Sequence, residues 1–406
     1  MKRRISVFLL AVFTALTITD SNCQAANPPS SMYARSAVLI DGSNKRVLYG
    51  LNENDAYPMA STTKIMTLAI ALEYAWDDLV ITISPYAATQ PDVQLNARAG
   101  EQYLIKDMLY MMMLQSYNDV AMALAENIGQ IMCGETPESE VIAKRTYEES
   151  KKYVAVFVDA MNEKASELGC VDTYFITPNG LDAEDETGRH HTTAYELAVM
   201  SAYALTVPGL IDITTTKSYS CSELNGKRTV SINTTDRFLD MCRGAVGLKT
   251  GFTNEAGFCF VGAVVQDERV FVSVVLGCGW PPNKNYKWAD TRKMMNYATS
   301  TFFTKTIFTA KESYRTIRVI DGQEDGVDTE IPYNLSILLS DDEKVRVIYK
   351  LDEAVRAPVS MGQQLGSVYI YIDDVLYTTL PIYAKADIKK VNYFWYFRKI
   401  IRFFLF

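Results

Sequence analysis

Ser61 and Lys64 stand three residues apart in Ser61-Thr62-Thr63-Lys64, ahead of Ile65, Leu68, Ala69 and Leu72 at helical spacing. That spacing puts a hydroxyl and an amine on one helix face, a turn apart. The positive end of a helix favours negative charge developing at the serine. A partly desolvated lysine amine is neutral enough there to take the serine proton. The tetrapeptide pattern occurs once in the chain, and its plain reading is a capping serine and a surface lysine.

Two further clusters carry polar chemistry. Ser116-Tyr117-Asn118 sits between the apolar run Leu109 to Leu114 and the helical Val120 to Leu124. Polar groups between two buried segments are costly unless capped or used. Ser231-Ile232-Asn233 has the same pattern, but it lies in a strand-like stretch without flanking apolar helices and ranks second. Lys249-Thr250-Gly251 ends a strand-like run. Gly251 lets a substrate backbone lie close along that strand, and Lys249 and Thr250 offer a cation and a hydroxyl to a carboxylate. The plain alternative is a strand-end lysine before a turn glycine.

These groups need a frame. Residues 34–50 read as two strands around an Asp-Gly-Ser-Asn turn, and 61–76 as a helix. Residues 105–129 carry a long apolar helical pattern, 153–168 an amphipathic helix ending at Gly169, and 193–206 another helix. From 245 to 278 the period changes to three strands, the last two joined by a hairpin at Gln266-Asp267-Glu268-Arg269. Residues 286–303 return to helix, and from about 305 alternating strands suit a small all-β domain of about 75 residues.

The three clusters, in this order, form the SxxK, SxN and KTG set of penicillin-binding proteins and serine β-lactamases. The text around them, including AVLIDGSNKRVLYGLNENDAYPMASTTKIMT, FITPNGLDAEDETGRHHTTAYELAVMSAYAL and GAVGLKTGFTNEAGFCFVGAV, resembles the serine-type D-alanyl-D-alanine carboxypeptidases, low-molecular-mass penicillin-binding proteins. The resemblance covers about residues 33–385. It implies an α/β transpeptidase fold like that of serine β-lactamases, with an antiparallel sheet and helices, plus a small C-terminal all-β domain. Tyr117 departs from the family, which usually has Gly there, and this bears on rate or specificity.

The resemblance also implies roles. Ser61 attacks the carbonyl of the penultimate D-Ala, and Lys64 is the general base. Ser116 and Lys249 relay the proton to the departing D-Ala. Asn118 holds the substrate backbone, and Thr250 binds the terminal carboxylate, with Arg237 and Arg243 as candidate helpers. The backbone N–H groups of Ser61 and Phe252 form the oxyanion hole, Phe252 following Gly251 on the strand. Water then frees the acyl-enzyme. The implied partners are a peptidoglycan pentapeptide ending in D-Ala-D-Ala and β-lactams. No cofactor or metal is needed. Three other readings share the fold: a β-lactamase, a DD-endopeptidase or weak transpeptidase, and a non-catalytic peptidoglycan-binding protein. No class A deacylating Glu in an ExxLN stretch follows Asn118, and all three motifs are intact.

Composition agrees with an ordinary globular chain: of 406 residues, 48% are hydrophobic and 22% charged. The net charge of −8 argues against a nucleic-acid binder resting on phosphate contacts. The only histidines are the neighbours His190 and His191, which makes a multi-histidine metal site unexpected. Charge is uneven, at +2 over 1–25, −15 over 26–384 and +5 over 385–406. The cationic, then apolar, then small-residue order of 1–25 reads as a cleaved secretory signal. Six cysteines follow it without CxxC spacing and read as buried free thiols. The expected division is a signal peptide over 1–25, a catalytic domain over 30–305, a β domain over 310–386 and an amphipathic anchor helix over 387–406. In the last segment Phe394, Phe397, Ile400, Ile401, Phe404 and Leu405 share one arc and Arg398, Lys399 and Arg402 another. Five cations in nineteen residues suit a helix lying in the membrane surface better than one crossing it. The expected place is the outer face of the cytoplasmic membrane.

Overall fold

The structure is a computed structural model, and it describes residues 27–75 and 78–405. The signal-like segment 1–25 lies outside those residues. The central element is a five-stranded antiparallel sheet. Its strands are β1 (Ser36–Asp41), β2 (Val47–Leu51), β3 (Ala245–Thr253), β4 (Gly257–Gln266) and β5 (Arg269–Leu276), in the order β2-β1-β5-β4-β3. The N-terminal hairpin thus joins a late meander, with Ile40 opposite Val272 and Gly251 opposite Cys259. Asp267 and Glu268, both at positive φ, turn β4 into β5 as the hairpin expected at that point.

The near-continuous apolar text of β4 and β5 follows from burial on both faces. Val261, Ala263, Val272 and Val274 enter a core shared with the helices. Their neighbours Phe260, Val264, Phe271 and Val275 enter a second core against Trp288, Met294 and Ala298.

The longer helices around the sheet are α1 (Lys64–Glu73), α2 (Ile105–Gln115), α3 (Asn118–Met132), α4 (Tyr147–Glu167), α5 (Ala194–Ala204) and α6 (Tyr286–Thr301). Three of the expected helical segments differ in the structure. The helix expected from 61 opens with a 3₁₀ turn, Ala60–Thr63, and the α-helix begins at Lys64. The pattern over 105–129 is two helices, because Ser116 adopts a left-handed conformation (φ 68°) and Tyr117 an extended one. α4 starts six residues before 153, where Thr146 and Glu149 form a reciprocal capping box.

α6 ends at Thr301, and Phe303–Phe308 is a strand paired with Leu335–Leu339. A six-stranded sheet follows, in the order Val345–Leu351, Gln364–Ile372, Val375–Ala384, Gly326–Glu330, Thr316–Ile320, Ala354–Arg356. Arg46, just before β2, ties the two units by bonding the Glu343 carboxylate and the Leu338 carbonyl. Ile388 is buried in the β domain and bridges to Val359. The terminal helix α7 (Tyr393–Leu405) therefore starts later than the segment marked out for it. The six cysteines from Cys133 onward are free. Cys170, Cys259 and Cys278 are buried, but Cys133 is exposed, so burial accounts for only part of the set.

Candidate active site

The 3₁₀ turn places Ser61 at the edge of the sheet. Ala60 holds a positive φ of 49°, and Thr62 and Thr63 pin the turn by donating to the Met59 and Ala60 carbonyls. Two glycines permit this path. A Cβ on Gly180 would stand 2.0 Å from the Ala60 oxygen, and one on Gly251 would stand 3.0 Å from the Ser61 nitrogen. The nucleophile turn is thereby held between β3 and the Thr177–Gly180 segment.

Lys64 is fully buried and is the hub. Its Nζ lies 2.9 Å from Ser61 Oγ and 2.8 Å from Asn118 Oδ1, and it also donates to the Asn179 carbonyl. The Asn118 amide is oriented, because its Nδ2 donates to Pro91 O and Asp92 O, both at 3.0 Å. Its Oδ1 therefore faces the lysine as an acceptor. Burial, and secondarily the nearby Lys249 cation, hold the Lys64 amine well below its ordinary range, while Asp119 opposes them. A neutral Lys64 has two N–H bonds, which Asn118 and Asn179 satisfy. Its lone pair is then left for the Ser61 hydroxyl.

Lys249, on the same edge strand, is also buried and donates to Thr250 O at 3.1 Å. Burial lowers it to about 8, against the opposing charge of Asp236. Thr250 is partly exposed beside it. The Phe252 ring is 39% exposed and packs on Phe258, with ring centroids 4.6 Å apart.

The structure thus joins Ser61, Lys64 and Asn118 by direct contacts, with Gly251 against the Ser61 backbone. Ser116 caps α2 through its backbone, and its hydroxyl bonds to neither lysine. Arg237 lines a groove with Met241, Trp288 and Arg292, apart from the cavity that Thr250 lines. Arg243 is exposed and makes no ion pair among the described residues. The rival Ser231 and Asn233 sit on the exposed face of a hairpin, bonded to Ser220 and Ser218.

Three site residues lay outside the sequence reading. The Asn179 carbonyl contacts both Lys64 and Ser61, the latter at 3.4 Å. Gln90 holds the Asn179 amide at 3.2 Å. His190 braces Thr63 at 2.8 Å. A backbone carbonyl has no side-chain signature. The Pro178-Asn179-Gly180 turn was the one available signal. Among the described residues no cluster of His, Cys, Asp and Glu suits a metal ion.

Sheet, helices and site define the penicillin-binding class of acyl-transfer fold. Penicillin-binding protein 5 of Haemophilus influenzae superposes with a TM-score of 0.68 at 22% identity, over 90% of this chain and 100% of that one. The Francisella tularensis D-alanyl-D-alanine carboxypeptidase DacD gives a TM-score of 0.67 at 22% identity, over 90% and 96%. The family model for D-alanyl-D-alanine carboxypeptidase matches residues 22–131 and 152–279, and that for the C-terminal domain of penicillin-binding protein 5 matches 302–390. The D-alanyl-D-alanine carboxypeptidase DacF of Bacillus subtilis is 28% identical over 98% of both chains. The chain belongs to the D-alanyl-D-alanine carboxypeptidase family of serine peptidases.

Proposed function

We propose that this serine DD-carboxypeptidase removes the terminal D-Ala from peptidoglycan stems through an acyl-enzyme on Ser61. The observation that carries the mechanism is the Lys64 amine, 2.9 Å from Ser61 Oγ, with its other bonds taken by Asn118 and Asn179. Lys64 takes the Ser61 proton as Oγ bonds to the penultimate carbonyl carbon. The edge-strand N–H of Phe252 and the N–H of Ser61 receive the oxyanion. The C–N bond then breaks, and the departing amine regains a proton through Ser116 and Lys249. Asn118, its amide hydrogens held by Pro91 O and Asp92 O, keeps the Lys64 amine in place, and Thr250 with Lys249 holds the leaving carboxylate. Water attacks the ester, D-Ala having left, and restores Ser61. β-Lactams enter the same first step and stop at the ester.

We also place the enzyme outside the cytoplasm, exported by the 1–25 segment and held on the outer face of the cytoplasmic membrane by α7. Supporting this, Phe394, Phe397, Ile400 and Phe404 are all more than half exposed. No described helix is long and apolar enough to cross a membrane. Lying flat keeps Arg398, Lys399 and Arg402 among anionic headgroups, at roughly 1 kcal/mol each.

The test is D-Ala release from a pentapeptide ending in D-Ala-D-Ala, with labelled penicillin as a second readout. The wild type should release D-Ala and take the label, and Ser61→Ala should do neither. Wild-type protein that takes no label, or full labelling of Ser61→Ala, would sink the scheme.

A further inference from the structure

Lys249 is buried, yet it forms no ion pair among the described residues, and its ammonium bonds to its own neighbour's carbonyl. The charged groups around it are Lys64 from α1, Lys287 from α6 and Asp236 from the 3₁₀ turn Arg237–Asp240, with Asp119 of α3 behind Lys64. Of the four, Lys287 is a like charge, and Lys64 becomes one when it takes the serine proton. Asp236 is the anion that lines the same small cavity as Lys249 and Thr250, with Thr214, Thr234 and Thr235.

The Asp236 carboxylate is fixed in place. It accepts from Phe238 N at 2.8 Å and from Leu248 N, the residue before Lys249, at 3.4 Å. Gly247 makes room for it, since a Cβ there would stand 2.8 Å from Asp236 Oδ2. Only 8% of Asp236 is exposed. Burying a carboxylate is costly, and a turn that needed only a cap is served equally well by Asn or Ser. No motif contains this residue.

We propose that Asp236, on the same cavity wall and bonded to the residue before Lys249, is a positioning residue that holds Lys249 as the cation for the substrate carboxylate. The inference rests on the carboxypeptidase reading above and assigns one of its parts. The sign of the effect follows from the surroundings. Burial and Lys287 drive the Lys249 proton off, and Asp236 retains it, leaving the group at about 8. Asp236 is itself pushed up to about 6 by burial, with Lys249 and Lys287 opposing. Without the carboxylate charge, Lys249 loses its proton at lower pH, and carboxylate binding fails from that pH upward.

Asp236→Asn keeps an acceptor for the two backbone N–H groups and removes the charge. D-Ala release should be followed from about pH 6 to 9.5 in both proteins. In the wild type KM should rise above about pH 8, following Lys249. In the variant the rise should begin about one unit lower, with kcat changing less than KM and near-wild-type values at about pH 6. Coincident alkaline limbs, or a loss equal at every pH, would overturn the proposal. In a Lys249→Met background, Asp236→Asn should leave KM unchanged, and a further loss beyond about threefold would overturn it too. If Asp236→Asn does not fold, Lys249→Met carries the test alone. Its melting temperature should fall more steeply between about pH 6 and 8, where Asp236 lacks its cation, than that of the wild type. Parallel curves would again overturn the assignment. Wild-type protein that releases no D-Ala would instead overturn the carboxypeptidase reading.

Discussion

His190 hydrogen-bonds Thr63, not Ser61. Its Nδ1 accepts from Ile176 N at 3.0 Å, so Nε2 carries the proton and donates to Thr63 Oγ1 at 2.8 Å. Thr63 in turn donates to Ala60 O. The ring is neutral by construction, and burial pushes it down to about 3. It braces the nucleophile turn and is no base for it.

Acid should therefore erode the part of the stability that His190 contributes. The unfolded chain protonates His190 near its ordinary value, and the folded chain resists until about 3. The stability is complete above about 6.5 and falls at about 1.4 kcal/mol per pH unit below it. Urea unfolding at about pH 7 and 4.5 should show the wild type losing stability relative to His190→Gln, because the raised Asp236 and Glu126 carboxyls act in the opposite sense in both proteins. Equal pH slopes would place the acid sensitivity elsewhere.

Lys64 and Lys249 should respond differently to arginine. Guanidinium does not act as a base near neutral pH, so Lys64→Arg should lose about 10²–10⁴-fold in penicillin acylation rate. Lys249→Arg keeps the charge and should retain partial activity, reduced by the fit of a larger group at a buried position. Stopped-flow acylation would compare the two. Equal losses would remove the division between base and carboxylate holder.

Gly180→Ala should be worse than its size implies. The position has φ +82°, and the new Cβ meets the Ala60 carbonyl at 2.0 Å. A left-handed residue costs about 1–2 kcal/mol, and the clash displaces the Ser61 turn as well. Thermal melts should show the stability loss. Penicillin labelling should slow by more than that loss explains. Labelling at the wild-type rate would show that the turn tolerates the shift.

The side chains of the site were largely legible, and its backbone was not. Ser61 with Lys64 and Asn118 declared themselves by type and spacing, since a hydroxyl, an amine and an amide at those intervals have few joint uses. The Asn179 carbonyl, which takes one of the Lys64 N–H bonds, is chemically like any other carbonyl in the chain. The left-handed turn at Ser116 was hidden for a related reason, because apolar residues on both sides kept a helical period through it. By contrast, the Thr146-to-Glu149 box was written in the sequence and marks the start of α4. The small β domain showed through its alternating strands. Ile388, apolar amid polar residues, gave no sign of belonging to it.

That last residue decides how the tail should be tested. Cutting after Ala386 would remove Ile388 from the β-domain core, along with the Val391 N–H that bonds Asp321 O. A chain ending at Asn392 removes α7 and leaves both. It should stay in solution when anionic vesicles are sedimented, should still release D-Ala, and should melt like the parent. Continued sedimentation with the vesicles would place the membrane contact elsewhere.

The order of the central sheet has a consequence for timing. β1 pairs with β2 on one side and β5 on the other, so the first described strand finds its second partner only once Leu276 is present. The Ser61 turn packs against Gly180 on one side and Gly251, 190 residues downstream, on the other, and its pocket is incomplete before then. Pairings this distant along the chain form slowly. A precursor threaded across a membrane from its first residue would carry its nucleophile through as unstructured polypeptide. The hydrolase would come into being on the far side, late in delivery.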